Sequence, residues 1–121
     1  EKNFSCYMHI DSLNCGVLGV GSSAKAAIKD MLSGWKDETD ELREEGKEIP
    51  ELEIEYKFDV GSLFNYYDFI NVSGVSREIG VSPSVMRQYA IGIRKPSPER
   101  KKEIMMGIKS LASKMQTAEI Y

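Results

Sequence analysis

The chain has 121 residues, 41% hydrophobic and 29% charged, with a net charge of −3 and no apolar run near the roughly 20 residues that a membrane-spanning helix needs. This length suits one domain or two small units of about 60 residues packed together, and the composition describes a soluble globular chain that does not span a membrane. Cys6 and Cys15 form no CxxC pair and only one histidine is present, which argues against a zinc site and against a disulfide scaffold.

A reduced, cytoplasmic protein without metal or cofactor is the expectation. The chain opens on Glu1 with no apolar signal segment, and the expectation is either a trimmed chain or a fragment beginning inside its first domain. The modest net charge conceals a division. Residues 1–60 carry 7 Lys/Arg against 14 Asp/Glu, a balance of −7, whereas residues 61–121 carry 9 against 5, a balance of +4. A basic half joined to an acidic one points to a polyanionic partner for the basic half.

In chain order, FSCYMHI alternates Phe4, Cys6, Met8 and Ile10 with Ser5, Tyr7 and His9, the period of a strand with one buried face. DSLN supplies a turn and CGVLGVG a second, glycine-rich strand, so the two form an antiparallel hairpin. With Ser22 or Ser23 as cap, Ala24, Ala27, Ile28, Met31, Leu32 and Trp35 recur at three- and four-residue spacing, followed by Leu42 and a stop at Gly46. That predicts one long amphipathic helix. In LEIEYKF, Leu52, Ile54, Tyr56 and Phe58 alternate with charged residues, which predicts another strand. The first 60 residues therefore read as an α+β unit with a small antiparallel sheet and one long helix, a thin sheet for its length.

From residue 61 every apolar series falls at helical spacing. Short helices are predicted near 62–69, 73–79 and 83–91, and a longer one from Pro98 to about Met115, making 61–121 an all-helical domain. Around Gly80 the pattern is that of two short helices meeting at a tight turn: small Ser76 four residues before the glycine, with Val75, Ile79, Val81, Met86 and Tyr89 on the inner faces. Ser82 is placed to cap the second helix with its hydroxyl, Pro83 suits the first helical position, and Gly92 suits a left-handed stop. Ser84, Arg87, Gln88 and Ile91 then share an outward face.

Arg pairs bidentately with guanine and Gln with adenine, so Ser84, Arg87 and Gln88 are the candidate base-reading residues. Arg94 and Lys95, beyond the second helix, are candidate phosphate ligands, as are Asn71, Ser73 and Ser82 near the helix starts. The partner so implied is double-stranded DNA, and two half-sites about 34–36 Å apart imply a homodimer or higher oligomer. Ile104, Ile108, Leu111 and Met115 form a stripe that suits either dimerisation or an internal core.

VSGVSREIGVSPSVMRQYAIGIRKPSPERKKEIMMGIKSL resembles a repressor-type helix-turn-helix of the lambda-repressor-like kind, with a glycine and a basic, proline-containing loop after the recognition helix. The first half resembles the antitoxin HicB, with its partial ribonuclease-H-like domain, in Asp11 and Leu13 of the loop, Gly21 before the helix, and GKEIPE from Gly46 to Glu51. It departs from that family in lacking prolines around the loop and in starting the helix with KAA. The resemblance implies an autoregulating repressor in a toxin–antitoxin operon, whose N-terminal domain neutralises a small basic ribonuclease toxin of the HicA-like kind.

A nuclease would require carboxylates converging from several elements. Asp11 sits in a turn and Asp30 and Asp37 on one helix, and His9 reads as a surface residue, so no catalytic residues are assigned. The rival reading from another class is a protein-interaction module that dimerises through its helical half and does not bind DNA.

Overall fold

In a computed structural model, which describes residues 3–121, the chain forms two units that divide after Tyr66. The architecture is α+β: a two-stranded antiparallel sheet and a long helix, then several shorter helices and a final longer one. Among the described residues, no helix is long and apolar enough to cross a membrane.

Strands β1 (Phe4–Ile10) and β2 (Cys15–Gly21) pair from Phe4↔Gly21 to Ile10↔Cys15. A 3-10 turn, Asp11–Leu13, links them, and Asn14 takes the left-handed conformation (φ 46, ψ 46) that its short polar side chain tolerates. The hairpin's apolar face is covered by α1 (Ala24–Glu44), whose start is capped by Ser23 as its hydroxyl accepts from the Ala26 amide at 3.0 Å. The helix stops where Gly46 turns left-handed at φ 71.

Ile10, Val17 and Met31 form the centre of this core, with Cys6, Met8, Leu13, Cys15, Trp35 and Leu52 packed around them. Burial of the Cys6 thiol raises its pKa, and the thiol donates to the Ala27 carbonyl at 3.2 Å. α1 approaches the sheet so closely that a Cβ at Gly19 would stand 2.2 Å from the Ala27 carbonyl oxygen and 2.5 Å from the Met31 amide nitrogen.

Helix α2 (Val60–Tyr66) belongs to this first unit. Its Asn65 side chain accepts from the Ala24 amide at 2.7 Å, satisfying one of the orphan donors at the start of α1, and Lys25 lies 5.7 Å from the centre of the Tyr66 ring. The division therefore falls six residues later than the sequence boundary at 60/61. Helical spacing reveals that a helix exists but not which core it joins.

The expected strand at 52–58 is corrected. Residues 47–59 carry no regular secondary structure and the sheet has only two strands among the described residues. The alternation survives only in part as burial: Leu52, Ile54 and Phe58 are half-buried while Glu51, Glu53 and Glu55 are exposed, but Tyr56, expected inward, is 45% exposed. Phe58 instead packs between aromatic rings, 6.5 Å from Tyr56 and 5.3 Å from Tyr66.

The second unit holds α3 (Val72–Ile79), α4 (Pro83–Ile91) and α5 (Pro98–Gln116). Helix α3 packs on both α4 and α5. Ser76, Val81, Met86, Tyr89 and Ile104 are its buried residues. At the α3–α5 crossing, a Cβ on Gly107 would meet Ile79 Cγ2 at 2.5 Å, so glycine is what permits the approach.

The obstacles around Gly19 are backbone atoms that cannot rotate away. Gly19→Ala should destabilise the first unit by about 1–3 kcal/mol, lowering the urea midpoint followed by the fluorescence of Trp35, the chain's one tryptophan.

Candidate nucleic-acid interface

The turn between α3 and α4 is built from local rules. Asn71 caps α3, its side-chain oxygen accepting from the Gly74 amide at 3.1 Å. Ser76 is fully buried at 0% exposure, and its hydroxyl donates to the Val72 carbonyl at 2.7 Å, so the small side chain at the crossing leaves no unsatisfied polar atom. Gly80 ends α3 at φ 82, and the Val81 amide donates back to the Ser76 carbonyl at 3.0 Å.

Pro83 then occupies the first turn of α4, where its missing N–H costs nothing. Ser82 stands at the N-cap position but makes no side-chain cap bond, which corrects the sequence expectation. Its backbone (φ −55, ψ 129) leads into the helix, and its hydroxyl is exposed. The far end closes at Gly92, φ 82 and ψ 8, with the Ile93 amide donating to the Gln88 carbonyl at 3.2 Å.

These ends fix which way α4 faces. Met86 at 0% and Tyr89 at 7% exposure anchor its inner side, while Ser84 and Arg87 are exposed and Gln88 is half-buried. The Arg87 guanidinium donates to the Ser73 hydroxyl at 3.1 Å, which brings a base-reading candidate and a phosphate candidate together across the two helices. Asn71, with its oxygen committed to the cap, keeps its amide nitrogen as the donor group. Arg94 and Lys95 lie exposed in the loop after α4.

Two apolar side chains accompany this polar row. Ile91 is 52% and Ile93 72% exposed, beside the Gly92 stop and just before Arg94. Ile91 is legible from helical spacing; Ile93 is not, because only the left-handed residue before it turns it outward. Exposed apolar groups beside donor side chains match what a base edge offers, since thymine presents a methyl group in the major groove.

The stripe on α5 divides. Ile104 is buried at 2% within its own unit, Ile108 and Leu111 are half-buried, and Met115 is exposed. The first member is therefore an internal core residue, and Met105, Met106 and Met115 are the exposed methionines of α5. In the first unit, His9 is exposed with Nε2 3.2 Å from Asp11 Oδ1, and Asp30 accepts from the Val20 amide at 2.9 Å. Among the described residues, no three His, Cys, Asp or Glu side chains gather as a metal ion would require.

Compared with protein-family models, curated proteins and solved structures, the chain shows no match.

Because Met86 is the large side chain enclosed behind α4, Met86→Ala should cost about 2–5 kcal/mol and loosen α4 as a whole. Hydrogen exchange should show the α4 amides losing protection.

Proposed function

We propose that the chain is a sequence-specific DNA-binding transcriptional repressor of the HicB antitoxin type, acting in the cytoplasm as a dimer. One observation carries this reading: α4 is clamped from behind by Met86 and Tyr89 while Ser84 and Arg87 stand on its open side, with Arg94 and Lys95 immediately beyond. In this role Arg87, Gln88 and Ser84 meet base edges in the major groove. Arg94, Lys95, Asn71, Ser73 and Ser82 hold phosphates. The +4 balance of residues 61–121 supplies the attraction common to all sequences.

The toxin–antitoxin role rests on the resemblance of the first half to HicB. There the −7 balance of residues 1–60 suits a small basic ribonuclease toxin, and repression of the shared operon provides autoregulation. The alternative, a module that dimerises without binding DNA, draws its support from the exposed methionines Met105, Met106 and Met115 on α5, because flexible thioethers suit adaptable protein contacts.

Electrophoretic mobility shift on the DNA upstream of its own reading frame separates the two. A repressor binds there with affinity falling steeply as salt rises; an interaction module gives no shift. Arg87→Ala or Gln88→Ala should cost about 1–3 kcal/mol and relax base preference, whereas Arg94→Ala or Lys95→Ala should weaken every sequence alike and reduce the salt slope by about one. Equal losses on all sequences from all four would remove the base-reading assignment.

A further inference from the structure

The first unit contains a groove of about 450 Å³ between β1 and the irregular stretch at 52–59, floored by Ala24, Ala27, Ile28 and Met31 of α1. One wall is the whole length of β1, and the other carries Leu52 to Asp59. Two observations give the groove a chemistry. β1 pairs only with β2 among the described residues, and no backbone hydrogen bond joins residues 52–57 to it, so β1 presents an open edge of amides and carbonyls along the groove. The opposite rim carries Glu53, Glu55, Lys57 and Asp59, three carboxylates to one ammonium.

An open strand edge above an apolar floor is the receptor for an added β-strand. The backbone supplies affinity through ladder hydrogen bonds, and alternate side chains point to the floor or to solvent. The acidic rim selects cationic residues at the solvent-facing positions. We propose that this groove binds an extended segment of a partner protein as a further strand against β1, the segment alternating apolar residues toward α1 with lysine or arginine outward. The inference rests on the geometry of the first unit alone, and a failed DNA-binding experiment leaves it standing.

The test uses the full chain and a blocked heptapeptide alternating lysine and valine. Hydrogen exchange should show amides within Phe4–Ile10 gaining protection when the peptide is present, and the peptide N-methylated on alternate residues should give none. Replacing lysine by glutamate in the peptide should weaken binding. Glu53→Lys combined with Glu55→Lys, both at exposed positions that leave the core untouched, should lower affinity for the lysine peptide roughly threefold to tenfold at low salt and improve it for the glutamate peptide. No added protection with the lysine peptide overturns the proposal. So does equal binding of both peptides, or a free chain whose β1 edge amides are already fully protected by its own residues.

Discussion

Both units are organised by close backbone approach through small residues. Helix α1 reaches the hairpin because Gly19 places nothing between β2 and the backbone at Ala27 and Met31. α3 crosses α4 with Ser76 fully buried and satisfied, and α5 crosses α3 because Gly107 leaves room for Ile79. Larger residues at these crossings would separate elements whose burial is the main favourable contribution in units this small. In the second unit the constraint reaches the surface: the crossing and the left-handed Gly80 together decide which edge of α4 is left outside.

Much of this was legible in the sequence, for identifiable reasons. The period of two in 4–10 and the apolar spacing from Ala24 to Trp35 each demand one buried face, and the structure supplies it with β1 on α1. Glycine and proline punctuation placed α3, α4 and the start of α5 closely, because a left-handed φ or a missing amide proton leaves few alternatives. Ser84 and Arg87 lie outward as spacing required, but the hydrogen bond from Arg87 to Ser73 joins residues 14 apart and has no signature in periodicity.

The misreadings share a cause. Alternation in 52–58 records which side chains tend inward, and it does so for Leu52, Ile54 and Phe58 but not for the exposed Tyr56; it cannot report whether the backbone finds a neighbouring strand. Likewise a helix near 62–69 was visible, though it runs Val60–Tyr66, and its allegiance depends on Asn65 meeting the Ala24 amide, a contact spanning 41 positions. A serine at a helix start is a good cap in general, but the Ser82 hydroxyl, at a backbone of φ −55 and ψ 129, makes no bond to the first-turn amides.

The firm stops at both ends of α4 also fix how much it can read. Nine residues from Pro83 to Ile91 make a rod about 13 Å long. On the proposed reading that rod covers roughly four base pairs of duplex at about 3.4 Å each. So short a word recurs by chance throughout any genome. Discrimination among such sites would then depend on copies of the chain engaging adjacent words together, and on how rigidly their spacing is kept.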